Sequence, residues 1–266
     1  MRLEQALRAL WGIVLRELMR FVYQRERFIA ALVRPLIWLF VFAAGFRAAL
    51  GVSITPPYQT YVTYETYIVP GLVGMIQLFN GMQSSLSMVY DREMGSMRIL
   101  LTSPLPRPFL LLSKLLAGAL VSVLQAYVFL GICAIYGVVF PMPAYLLALP
   151  VLIVTGLALG AIGLFLSSMI HQLENFAGVM NFVIFPMFFL SSALYPLWKM
   201  KESSHLLYWI CAFNPFSHIV EFVRFSLYLS FNGLALGVTA AVLVGFALLS
   251  IMSFDPRFNL VKRQVS

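Results

Sequence analysis

Charge is the scarcest commodity in this sequence. Charged residues make up 11% of its 266 positions and hydrophobic residues 61%, against roughly a quarter and a half in soluble domains. Such a chain has too little polar surface to cover its apolar side chains in water, which excludes an ordinary soluble fold and leaves a bilayer as its solvent. Only ten residues are acidic, and none falls deep in an apolar run. Ion-driven carriers usually bind their coupling ion on intramembrane carboxylates, so this shortage argues against self-powered transport. The two cysteines, Cys133 and Cys211, are too few and too distant to form a disulfide framework or a metal site. Cys133 lies within an apolar run, where it is a packing residue. The three histidines, His171, His205 and His218, sit in separate connections, and none belongs to an HExxH helix. No GxxxxGK[ST] phosphate loop and no GxSxG nucleophile elbow occurs. No catalytic constellation is present, and the reading is of a non-enzyme without a cofactor of its own.

The net charge of +8 raises the question of nucleic acid, but such binders gather basic residues into a patch on a soluble domain. Here they lie between apolar runs, as the positive-inside rule arranges them. We therefore expect membrane lipid and no nucleic acid. Six apolar stretches, at about 28–50, 67–90, 108–136, 146–170, 175–197 and 231–254, are near or above the roughly 20 residues a crossing needs. The expectation is an all-α, polytopic protein with six transmembrane helices and a single domain over 1–266. The first stretch carries Arg34 and Arg47 near its ends, where long side chains snorkel to the interface. Its Trp38, Phe42 and Phe46 either line an amphiphile's path or face lipid.

Two further segments have a distinct character. Over residues 1–27, Leu3, Leu7, Leu10, Val14, Leu18 and Phe21 recur at spacings of three and four and define one apolar face. Arg8, Arg16, Arg20 and Arg27 lie largely off that face, which predicts a helix lying on the membrane against anionic headgroups; a core helix of a small soluble domain is the alternative. The charged leader is too long for an ordinary signal peptide, so the N-terminus is expected to be retained. Residues 198–230 are too apolar for a plain loop yet are broken by Asn214-Pro215. Proline removes a backbone donor and disfavours helix at the preceding residue, which predicts two short re-entrant helices.

Lys and Arg counts set the orientation. With the N-terminus inside, 14 of the 18 fall on the cytoplasmic side and 4 (Arg47, Lys199, Lys201, Arg224) outside, placing both termini in the cytoplasm.

Segment 91–107 joins the second and third stretches on that cytoplasmic side. Charge comes first, then an apolar cluster, then a Pro-bounded stop. A short amphipathic helix would turn Arg92, Glu93 and Arg98 outward and press Met94, Met97 and Leu101 onto an apolar partner; a solvated loop whose charges fix topology is the other reading. On the second stretch Gln77, Asn80, Ser84 and Ser87 form one polar stripe, either a wall of a translocation path or interhelical hydrogen-bonding glue. Gly156, Gly160 and Gly163 give the fourth stretch a small-residue face for close packing. Asn181 and Pro186 mark the fifth as a place to bend, the minimal meaning being a kink and the further one gating at Pro186.

The string from Arg92 to Arg107, REMGSMRILLTSPLPR, resembles the coupling segment of the permease subunits of type-2 ABC exporters. Tyr67-Ile68-Val69-Pro70-Gly71 resembles that family's opening of the second span. Ser191-Ser192-Ala193-Leu194-Tyr195-Pro196-Leu197 and Asn214-Pro215-Phe216 resemble its landmarks near the outer re-entrant helices. Ser96-Met97 departs from the commoner Thr-Leu, and Trp198-Lys199-Met200-Lys201 lacks the usual outer pattern. The resemblance implies a bacterial inner-membrane permease paired with a second permease subunit, a homodimer being favoured, and with two separate ATPase subunits that bind the ATP. It implies that Asp91, Arg92, Glu93, Met94, Gly95, Ser96, Met97 and Arg98 form a coupling helix seated on the ATPase, supported by the N-terminal helix. Lipids, lipid-linked glycans, amphiphilic drugs and peptides all remain as cargo. A stand-alone passive transporter or channel is the competing class.

Overall fold

The computed structural model describes residues 3–23, 25–47, 62–93, 106–170 and 172–254. Among the described residues there are ten helices and no β-strand. They are α1 (Leu3–Tyr23), α2 (Arg25–Arg47), α3 (Tyr64–Glu93), α4 (Arg107–Ile135) and α5 (Met142–Met169), then α6 (Leu173–Phe189), α7 (Leu197–Ser203), α8 (His205–Phe213), α9 (Pro215–Leu227) and α10 (Gly233–Phe254). Both α4 and α5 open on a proline in the first turn, where the missing N–H costs no helix bond and the fixed φ suits the helix. The turn between them passes through Gly137 at φ +104°, a conformation that a Cβ would oppose.

Helix α3 is the axis of the bundle, packing on α2, α4, α5, α6 and α9. Its residues from Tyr67 to Leu78 are buried without interruption. The approach to α5 is closest at glycine: a Cβ on Gly81 would lie 2.9 Å from the Gly160 nitrogen, and one on Gly163 would lie 2.9 Å from the Gly81 carbonyl oxygen. In lipid, where apolar burial offers little drive for helix association, such backbone proximity is a main source of attraction. The small-residue face of α5 is thus a packing surface. Cys133 and Cys211 are both buried and reduced.

Helix α1 packs on α4, with Val14 buried and Leu10 and Leu18 half-buried, while Arg8 and Arg16 are exposed. The expected apolar face therefore meets protein at its centre. A second row, Trp11, Leu15, Met19 and Tyr23, is exposed at intervals of four, a feature the single-face description of the sequence omits.

Among the described residues, three helices are long and apolar enough to cross a membrane: Pro108–Ile135, Met142–Met169 and Gly233–Ser253. The pair α8–α9, bent by 73° at Asn214, adds a fourth if it is a broken span. That is fewer than the six crossings expected. The apolar parts of α2 (Phe28–Val41) and α6 (Leu173–Phe189) are shorter. At 30 residues α3 extends about 45 Å, long enough for any bilayer, but Gln77, Asn80, Gln83 and three serines dilute its hydropathy. Region 198–230 holds three helices, α7 to α9, where two were expected.

Candidate functional site

The expected sites fall in three places. Asp91, Arg92 and Glu93 are the last residues of α3, so its helix runs unbroken into the charged segment. Met94, Gly95, Ser96, Met97 and Arg98 lie outside the described residues. Pro186 sits near the end of α6, exposed, and its carbonyl accepts the Leu190 N–H at 2.9 Å; Asn181 on the same helix is also exposed.

The polar stripe of α3 divides. Gln77, fully buried, donates from Nε2 to the Leu152 carbonyl at 2.6 Å and accepts from Thr155 Oγ1 at 2.7 Å. Asn80, also buried, donates from Nδ2 to Gln125 Oε1 on α4. These bonds tie α3 to α5 and α4 inside one chain. Ser84 is half-buried against α4, its Oγ only 2.6 Å from where a Cβ on Gly118 would stand. Ser87 donates to the Ser84 carbonyl of its own helix at 2.6 Å. Gln125 and Thr155, partners of the stripe, carry no sequence signal beyond being polar in an apolar run.

At the opposite end of α3 the structure builds a cluster that the sequence does not announce. Pro70 has no N–H to give the Thr66 carbonyl one turn back, and the Tyr228 hydroxyl donates there instead at 3.1 Å. Segment 191–194, between α6 and α7, is buried and held from two sides. From α3, the Tyr67 hydroxyl donates to the Ser192 carbonyl at 2.9 Å and the Tyr64 hydroxyl to the Leu194 carbonyl at 3.2 Å. From α9, Arg224 Nη2 donates to the same Ser192 carbonyl at 2.8 Å. Ser192 donates twice to Ser217, from its N–H to Oγ at 3.1 Å and from its Oγ to the carbonyl at 3.3 Å. Asn214 spans the join: its Nδ2 donates to the Met187 and Leu190 carbonyls that end α6, while its Oδ1 caps α9 by accepting from Phe216 N–H.

Arg224 is the centre of this cluster and is fully buried. Its guanidinium pairs with Glu221 one turn earlier and lies 3.9 Å from the centroid of the Tyr67 ring. A buried cation needs such compensation, because water no longer solvates it. In the sequence Arg224 counts only as one of the four outer basic residues. Gly71 is equally committed: a Cβ there would collide with the Ala193 carbonyl, its carbon 2.8 Å away. The motifs at 67–71, 191–197 and 214–216, far apart in sequence, therefore meet in one hydrogen-bonded knot. Among the described residues no three His, Cys, Asp or Glu side chains gather as a metal site would require.

Known proteins resemble this chain over most of its length. A family profile described as "ABC-2 type transporter" matches residues 8–228. The chain is 31% identical over 170 residues to the "Probable multidrug ABC transporter permease YbhR" of Escherichia coli, covering 63% of this chain and 45% of that protein. It is 24% identical over 243 residues to the "Putative transport permease ycf38" of Cyanophora paradoxa, covering 85% of this chain and 80% of that one. A match to "Nodulation protein J" of Rhizobium leguminosarum bv. viciae, 33% identical over 81 residues, covers 30% of each. The aligned part thus spans under half the length of the first of these relatives. With the family profile extending from α1 to the end of α9, the chain belongs to the ABC-2 type transporter family.

Proposed function

We propose that this chain is the membrane subunit of an ATP-driven exporter, powered by separate ATPase subunits and moving a lipid-like, glycan or amphiphilic drug substrate outward. Six spans, both termini in the cytoplasm of a bacterial inner membrane and a homodimeric assembly complete the reading. Residues 1–266 form one permease domain, in which 1–27 lies at the interface, 91–107 couples to the ATPase and 198–230 is re-entrant on the outer side.

The observation that carries it is the continuity of α3. One helix of 30 residues runs from the knot at Tyr67 and Arg224 to Asp91-Arg92-Glu93. A packed helix transmits displacement as a rod, because close-packed interfaces switch between arrangements and do not deform smoothly. Closure of an ATPase beneath residues 91–98 would therefore move the outer knot. Gln77 and Asn80, satisfied within one chain, act in this reading as bonds that keep the rod joined to α4 and α5. The wall of the path is then left to the more exposed Ser84 and Ser87 and to the surface shared by two copies.

Charge reversal tests the coupling. The double variant Arg92→Glu/Glu93→Arg is expected to lose at least tenfold of the ATPase subunit that co-purifies with the tagged chain from its native host. Unaltered co-purification and turnover would remove residues 91–98 from the interface.

A further inference from the structure

A second cation, Arg34, lies within an apolar stretch, where the sequence suggests a side chain that snorkels to the interface. Arg34 stands nine residues into α2, about 14 Å along the helix from Arg25. It is exposed, and no carboxylate partners it among the described residues. Guanidinium groups held within hydrocarbon without a counter-ion are costly and mark sites of function. Nor does this one simply extend to the interface, for it is stacked over Phe79 of α3, 4.1 Å from the ring centroid. Beside it a cleft between α2 and α3 encloses a cavity of about 60 Å³, bounded by the small residues Ala30 and Ala31 and by the carboxamides of Asn80 and Gln83. That volume is room for about two waters and for the tetrahedral head of a phosphoester. Further along the same face of α2, three and seven residues on, Ile37 and Val41 are 55% and 59% exposed.

The order is that of an amphiphile: a fixed guanidinium, polar groups beside it, then an open apolar track. We propose that the α2–α3 cleft binds the anionic phosphate headgroup of a membrane amphiphile, with Arg34 as its counter-ion and the tail lying along Ile37 and Val41. Arg presents a fork of N–H donors matched to phosphate oxygens, and Gln83 lines the same cleft. Gln83 lies ten residues before the Glu93 end of α3, about 15 Å, so the site opens in the leaflet next to segment 91–98. That the bound amphiphile is cargo rests on the transporter reading; that it binds does not.

The test uses the full chain in a zwitterionic detergent, titrated with dioleoyl phosphatidylglycerol, dioleoyl phosphatidylcholine, oleate or soluble glycerol phosphate, with bound ligand counted by native mass spectrometry. The native chain is expected to take phosphatidylglycerol at least tenfold more tightly than phosphatidylcholine or oleate, and glycerol phosphate not at all. Arg34→Gln should abolish the preference and Arg34→Lys should restore part of it, whereas Lys199→Gln, on α7, should leave it intact. Ala30→Phe fills the cleft and keeps the charge, so it should cost the same tenfold even if Arg34→Gln fails to fold. An unchanged preference in Arg34→Gln or in Ala30→Phe overturns the site. Equal binding of oleate overturns the phosphate assignment, and binding of glycerol phosphate overturns the membrane source. Loss of ATPase co-purification with lipid preference intact would count against the transporter reading alone.

Discussion

Replacing Arg224 by Met tests whether the knot depends on a buried charge. The substitution keeps an unbranched apolar stem of similar reach, so packing against Tyr67 is largely retained. What disappears is the pair with Glu221, the 2.8 Å bond to the Ser192 carbonyl and the stacking of charge on the Tyr67 ring. The Ser192 carbonyl keeps the Tyr67 hydroxyl as a donor, so the main loss is the ion pair between Arg224 and Glu221. Removing one partner of a buried pair costs about 3–5 kcal/mol. The Glu221 side chain is 14% exposed, which allows some hydration and favours the lower bound, about 3 kcal/mol. At roughly 2–4 °C per kcal/mol for a chain of this size, the melting midpoint in detergent, followed by tryptophan fluorescence, should fall by about 10 °C. The double variant Arg224→Met/Glu221→Leu removes the carboxylate as well, and it should recover at least half of that drop. A fall below about 2 °C for the single variant, or losses that simply add in the double, would refute the view of Arg224 as an ion held by compensation.

Two other substitutions probe the same region. Gly71→Ala places a methyl group against the Ala193 backbone, which has no side-chain freedom to yield; an overpacking penalty of about 1–3 kcal/mol should appear as a midpoint lowered by several degrees, and an unchanged midpoint would show that segment 191–194 moves freely relative to α3. Pro186→Ala restores a backbone N–H near the end of α6 and is expected to change the transport rate severalfold while ATPase co-purification stays the same; equal transport by the two forms would remove gating from Pro186.

How much of this was legible beforehand depends on the kind of residue. Helix positions followed from apolar runs because length and hydropathy are local properties; five of the six runs became helices within a few residues of the expected bounds, whereas the run at 175–197 stopped at Phe189, eight residues early. The number of crossings did not follow in the same way. Helix α3 reads as one more apolar run, yet in three dimensions it is a shared core element whose polar residues face α4 and α5. A linear pattern does not distinguish a lipid-facing apolar residue from one facing protein. The glycines of α5 were legible as packing because a small-residue face has few other uses in lipid. Gln125 and Thr155 were not, since a single polar residue in an apolar run does not name the helix that will satisfy it.

The knot shows why three weak motifs carried more information together than any did singly. Tyr67, Gly71, Ser192, Ala193, Asn214 and Phe216 lie in runs whose local meaning is slight: an aromatic, a glycine, a turn, a proline break. Each makes its decisive contact with another of these runs. Tyr67 finds the Ser192 carbonyl, Gly71 makes room for Ala193, and Asn214 bonds the carbonyls that end α6. Backbone carbonyls in irregular segments at membrane depth have no water to accept from, so donors must come from elsewhere in the chain. Such donors are necessarily distant in sequence, and the residues that supply them have a fixed type and no local periodicity. Arg224 fits that requirement best, being the one side chain here that can donate to a carbonyl, pair with a carboxylate and stack on a ring at once. Its charge made it a topology marker in the sequence; its burial makes it the residue on which the closure of the irregular segment depends.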